Sequence, residues 1–136
     1  MTAEAPVVHA SKTTLWIGRI LSTLPVLMLL MSGVMKFLKP TEVVEGFAKL
    51  GWPDNLAQGL GVVELVCTAL YVIPRTSVLG AILLTGYLGG AIATHVRIGD
   101  PFLVPVILGV VLWLGLYLRD ARLRALIPLR SSASGR

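Results

Sequence analysis

Side chains for thiol and metal chemistry are scarce in this chain. It has one cysteine and two histidines in 136 residues. Cys67 has no C-x-x-C partner, which excludes a self-contained thiol–disulfide cycle and an iron–sulfur site. His9 lies near the N-terminus, far from His95, so a haem held by two histidines inside one bundle is excluded as well. No cluster of His, Cys and carboxylate residues points to zinc or another metal. Charge is also in short supply: 14% of residues are charged, where a soluble domain carries about 25%. With 55% hydrophobic residues the chain is neither disordered nor able to wet the surface of a soluble domain. No P-loop is present, and the GYLGG string sits inside an apolar run with no strand before it, so no nucleotide fingerprint stands.

The apolar residues are gathered into four runs, at 15–38, 56–73, 77–96 and 101–118. A bilayer core needs about 20 residues of helix. The runs are continuous and Leu-rich, as in LPVLMLLM, without the alternation of barrel strands. Pro40, Pro74 and Pro101 mark their boundaries, and Pro25 and Pro105 lie within or near the start of helices. The expected fold is therefore all-α: an integral membrane four-helix bundle occupying 15–128. A flexible N-terminal tail (1–14) precedes it and a basic disordered C-terminal tail (129–136) follows. The first run is too long for a cleaved signal peptide and no A-x-A site follows it.

Four spans put both termini on one side of the membrane. That side holds eight Lys and Arg residues (Lys12, Arg19, Arg75, Arg119, Arg122, Arg124, Arg130, Arg136) and the other holds four (Lys36, Lys39, Lys49, Arg97). The excess predicts cytoplasmic termini, N-in and C-in. Trp16, Trp113 and Tyr117 then fall near the inner interface and Trp52 near the outer one. Arginines beside a membrane exit read as an orientation signal and a contact for anionic lipid rather than for nucleic acid. Short second and third loops make the last three helices antiparallel neighbours. The long first loop carries a short amphipathic helix on the extracytoplasmic side. Thr41 is its expected cap, Gly51 its end, and Val43, Val44, Phe47 and Leu50 its apolar face. It reads either as a cover for a pocket mouth or as a simple interfacial connector.

Polar groups inside the apolar runs are the candidate site. An ionisable side chain at mid-membrane costs about 2.5–3.5 kcal/mol, so it faces protein and has a purpose. Glu64 lies eight residues into the second run, about 12 Å from its outer end. Lys36 reaches the same outer half from the first run, and His95, followed by Arg97 and Asp100, ends the third. Glu64, Lys36 and His95 are the expected catalytic or ligand-facing group, with Tyr87 and Arg97 as further ligand contacts. Glu64 reads equally as a protonated acid ready for proton transfer or as a structural residue paired to Lys36 or a hydroxyl. Lys36 also fits a snorkelling anchor, His95 a cap, Arg97 an interface anchor, and Tyr87 ordinary packing. Gly86-x-x-x-Gly90 predicts close helix packing, within the bundle or at a homodimer seam. Four short helices leave little room for a transport path.

In order along the chain stand Arg19, Gly33-x-x-Lys36-Phe37, Gly51-Trp52-Pro53, Gly61-x-x-Glu64-Leu65, Ala91-x-x-Thr94-His95-x-Arg97 and Leu118-Arg119-Asp120. On these residues the chain resembles the DoxX-like family of small four-helix membrane proteins over about 13–128. The resemblance implies a bacterial-type plasma (inner) membrane location. It also implies kinship with membrane subunits of quinone-linked oxidoreductases, such as thiosulfate:quinone oxidoreductase, or with partners in oxidative-stress complexes. A lone cysteine leaves only an accessory or quinone-side role from that group.

Two readings follow. In one, the bundle is a non-catalytic subunit that holds a quinone or other lipophilic small molecule and docks a soluble redox partner at its cytoplasmic face. In the other, it is a small membrane enzyme, an isomerase or cyclase for a hydrophobic substrate. Glu64 would then move the proton, with Lys36 or His95 stabilising developing negative charge. The second needs no cofactor; the first involves a quinone.

Overall fold

A computed structural model describes residues 10–127. Residues 1–9 of the expected N-terminal tail, and the whole of the basic tail expected at 129–136, lie outside the described residues. Among the described residues six helices follow one another: α1 (Lys12–Leu38), α2 (Thr41–Lys49), α3 (Leu56–Val72), α4 (Ser77–Arg97), α5 (Leu103–Arg119) and α6 (Ala121–Leu126). The described residues contain no strand.

Helix α1 starts inside the stretch expected to be tail. Ser11 caps it by accepting a hydrogen bond from the Thr14 amide at 3.2 Å, so Lys12 to Thr14 are already helical. At its other end Lys39 takes a left-handed conformation (φ 47°) and its N–H closes on the Met35 carbonyl. Pro40 then prevents continuation. Helix α2 begins at Thr41 with Pro40 in the cap position, so Thr41 is the first helical residue rather than the cap. Proline suits this place because its fixed φ presets the turn and the missing N–H is not needed there. Gly51 (φ 76°) turns the chain away after α2, and Gly99 (φ 70°) does the same after α4. Helix α6 carries no apolar run of its own and was not expected. Asp120 starts it by accepting from the amides of Arg122 and Leu123.

The four longer helices touch in a closed ring: α1 on α3, α3 on α4, α4 on α5, and α5 back on α1. Contact positions run oppositely along each pair. Gly33 of α1 lies on Leu65 of α3, and Gly18 of α1 on Gly115 of α5. Two crossings are close enough to require glycine. A Cβ on Gly115 would fall 2.5 Å from Ser22 Oγ, and one on Gly80 would fall 2.2 Å from the Tyr71 backbone nitrogen. The core between the helices is built from Leu29, Cys67, Tyr71, Leu84, Leu88, Leu112 and Leu116, sealed at one end by Leu123 of α6.

That same end holds a polar knot. The fully buried Tyr71 hydroxyl donates to the Leu112 carbonyl at 2.7 Å and lies 3.0 Å from Ser22 Oγ. Arg119 donates its Nε–H to Ser22 Oγ at 3.1 Å and places its guanidinium over the Tyr71 ring, 5.1 Å from the centroid. Three helices are thereby tied, and no buried side-chain polar atom among the described residues is left unpaired.

The exterior is apolar. Helices α1 and α4 are long and apolar enough to cross a membrane, and only 28% of the most apolar stretch of each is buried. A core helix of a soluble protein would be mostly buried. Met31, Val66, Ile82, Leu103 and Val110 are among the large apolar side chains that project outward. Helices α3 and α5 are apolar but shorter, at 17 residues each.

Candidate functional site

At the end of the ring away from the polar knot the helices part around a cavity of about 950 Å³. All four long helices contribute to its wall, through Leu29, Leu60, Leu88 and Leu108 among others. Its size lies at the upper end of the range for small-molecule sites. Helix α2 lies along it. Val43, Gly46 and Phe47 face the cavity, while Thr41, Glu42, Glu45 and Lys49 face outward. The expected apolar face is therefore narrower than the sequence pattern, because Val44 is turned out.

Glu64 stands on this wall with a side chain only 2% exposed. Lys36 meets it from α1, its ammonium 2.8 Å from Glu64 Oε2. The same ammonium donates to Ser32 Oγ at 2.6 Å, one helical turn back. Tyr87 of α4 donates its hydroxyl to Glu64 Oε2 at 3.2 Å. Three helices thus converge on one carboxylate oxygen. Such a group is tolerated in an apolar wall because the opposite charge and two hydrogen bonds replace its water. The pairing depends on register. Gly61 on α3 leaves room for α1, since a Cβ there would lie 3.1 Å from both the Gly33 carbonyl and Lys36 Cβ. Thr68 bonds the Glu64 carbonyl within α3 at 2.7 Å.

His95 lines the cavity but does not join this group. Its Nδ1 contacts the Ala91 carbonyl at 2.7 Å and its Nε2 lies 3.9 Å from Asp100 Oδ2. Arg97 stays off the cavity wall. It donates to the Leu50 carbonyl and borders a shallower hollow of about 350 Å³ with Gly51, Trp52, Ala93 and Thr94. Beside it Lys49 of α2 pairs with Asp100 at 2.5 Å. Two polar contacts therefore fasten the C-terminal end of α2 to the α4–α5 turn.

Gly86 and Gly90 also line the cavity, and an added Cβ at either meets no atom within 4 Å. Inside this chain they give open space rather than close packing, which falls to Gly18, Gly115 and Gly80 instead. Ser32 escaped sequence reasoning although its i, i+4 spacing to Lys36 was available as a signal. Asp100 is in the sequence beside His95 and Arg97, but nothing there pairs it with Lys49, 51 residues away. Among the described residues no group of three His, Cys, Asp or Glu residues is placed to hold a metal.

The model of the DoxX-like family matches residues 20–115, a segment that contains Lys36, Glu64, Tyr87, His95 and Arg97. No curated protein and no solved structure matches the chain.

Proposed function

The chain belongs to the DoxX-like family, and from that premise and the cavity we propose a multi-pass membrane protein that holds a quinone or similar lipophile against Glu64, Lys36 and Tyr87. The carrying observation is a cavity of about 950 Å³ with apolar walls and one buried ion pair. Such a chamber suits a molecule with a polar ring and a hydrocarbon tail.

In this reading all four long helices cross the bilayer of a bacterial-type plasma membrane. At 17 residues α3 and α5 measure about 26 Å, a little short of a typical core, which a modest thinning of the bilayer accommodates. Lys and Arg number eight on the side of the termini and four on the other, which supports cytoplasmic termini and a cavity in the outer half. Helix α6 adds Arg122 and Arg124 to the inner face, with Leu126 and Ile127 exposed beside them. That basic, interfacial face is where a soluble redox partner docks.

Trp52 borders the cavity and is a built-in reporter. In a Trp16→Phe, Trp113→Phe background, a decyl-substituted benzoquinone added to nanodisc-embedded protein quenches Trp52 saturably. Gly90→Leu, which extends a side chain into the open space over Gly90, removes the saturable component. Quenching that stays linear in quinone concentration and is unchanged by Gly90→Leu contradicts the proposal.

A second reading has one observation in its favour: Glu64 Oε1 accepts no hydrogen bond from the described residues. A free carboxylate oxygen on a cavity wall is what proton abstraction from a bound hydrophobic substrate requires. Glu64→Gln separates the two. It abolishes turnover of a candidate substrate in the enzyme reading, and leaves Trp52 quenching by quinone within a few-fold of wild type in the binding reading.

A further inference from the structure

The bond pattern around Glu64 carries more than the presence of a site. Both protein donors that reach this carboxylate, Lys36 and Tyr87, end on Oε2. Oε1 receives no hydrogen bond from the described residues, yet among those residues no buried side-chain oxygen or nitrogen is left sealed without a partner. Glu64 itself is 2% exposed and lines the cavity, so Oε1 opens onto the cavity rather than onto packed protein.

The donors nearby are spent. Lys36 gives hydrogens to Glu64 Oε2 and Ser32 Oγ and turns toward the Ser32 carbonyl at 3.5 Å. Tyr87 gives its only hydrogen to Glu64, and Thr94 gives its own to the Gly90 carbonyl at 2.8 Å. His95 keeps Nδ1 on the Ala91 carbonyl. What remains to donate is neutral: the Ser32 hydroxyl, already accepting from Lys36, and the indole N–H of Trp52 on the cavity wall, which meets no acceptor among the described residues. Hydrogen bonds to an ionised acceptor are about twice as strong as neutral ones. The strongest unfilled demand on this wall is therefore for a hydrogen-bond donor, and the Lys36–Glu64 pair is already neutral in sum.

We infer that the cavity selects a neutral lipophile whose head group carries a hydroxyl, which donates to Glu64 Oε1. For a quinone couple that is the reduced, quinol form. An acceptor-only head, such as a quinone carbonyl or an ether, still enters the cavity but gains no hydrogen bond from the carboxylate and binds more weakly. An anionic head meets like charge. This inference rests on the binding reading above, and it goes further by fixing the chemistry of the head group.

The test uses two probes of nearly the same shape, 4-decylphenol and its methyl ether 4-decylanisole, with binding measured by native mass spectrometry on detergent-solubilised full-length protein. Wild type binds the phenol about tenfold more tightly than the ether, the ratio one charge-assisted hydrogen bond carries at the low end of its range. Gly90→Leu loses both probes, which places them in the cavity. In the double variant Lys36→Met, Glu64→Met the two probes bind equally. Equal binding of phenol and ether to wild type overturns the inference and leaves the cavity reading standing. A phenol preference that survives in the double variant overturns it too, since the donor then finds its acceptor elsewhere. Failure of wild type to bind either probe overturns the binding reading itself, and this inference with it.

Discussion

Removing Lys36 alone should damage the protein more than removing Lys36 and Glu64 together. The structure sets the scale. The Glu64 side chain is 2% exposed and that of Lys36 15%, at a separation of 2.8 Å. In Lys36→Met the carboxylate keeps one neutral donor, Tyr87 at 3.2 Å, and loses its counter-charge. Stripping one partner from a buried pair costs about 3–5 kcal/mol. For a chain of this size that corresponds to a fall of roughly 10–20 °C in melting temperature. In Lys36→Met, Glu64→Met nothing charged remains in the wall, and replacing a buried pair with apolar side chains is often neutral or better. The double variant should therefore melt within a few degrees of wild type, even though it leaves the Tyr87 hydroxyl without its carboxylate. Cys67 supplies the assay. It is the sole cysteine, is buried in the core and lies three residues beyond Glu64. A thiol-reactive fluorophore reports its exposure as detergent-solubilised protein is heated. If Lys36→Met melts with wild type, or the double variant melts below the single one, the buried-pair account is refuted.

Two glycines on α4 should respond in opposite directions. Gly80→Ala drives a methyl group to 2.2 Å from the Tyr71 backbone nitrogen, an overpacking that costs about 1–3 kcal/mol and lowers the melting temperature in the same thiol assay. Gly86→Ala meets open space and gains up to about 1 kcal/mol of helix propensity, so its melting point should hold or rise. Orientation is testable in a Cys67→Ser background with single cysteines at Asp54, in the exposed turn before α3, and at Arg122 on α6. A membrane-impermeant maleimide should label position 54 in intact cells and position 122 only after permeabilisation. The opposite pattern reverses the assignment of the termini.

Helix content was legible from run length and proline punctuation, because a long apolar segment satisfies its backbone in one way. The α1 start was misplaced because Ser11 caps the helix before the apolar run begins, and hydropathy is blind to a polar first turn. Helix α6 was missed for a related reason: six residues held by one Asp120 cap make no periodic pattern. Glu64 and Lys36 stood out as the costly residues in apolar surroundings, and their mutual distance follows from antiparallel packing of neighbouring helices. Ring order was harder to read. Nothing local says that Tyr87 reaches Glu64 across α3 and α4, that His95 turns to Ala91 and Asp100, or that Arg97 bonds the Leu50 carbonyl. The cavity itself is a property of the gaps between helices. Gly86 and Gly90 suggested close contact as a sequence motif, while in three dimensions they border the open volume.

The most direct measurement is the small-molecule content of the protein taken from its own membrane. Wild type and Gly90→Leu should be isolated side by side in polymer-bounded native discs, extracted with organic solvent, and analysed by chromatography and mass spectrometry against discs of an unrelated membrane protein. A cavity that holds a lipophile predicts one compound enriched toward one per chain in wild type and reduced to the background of bulk lipid in Gly90→Leu. Equal lipid extracts from all three samples would contradict it.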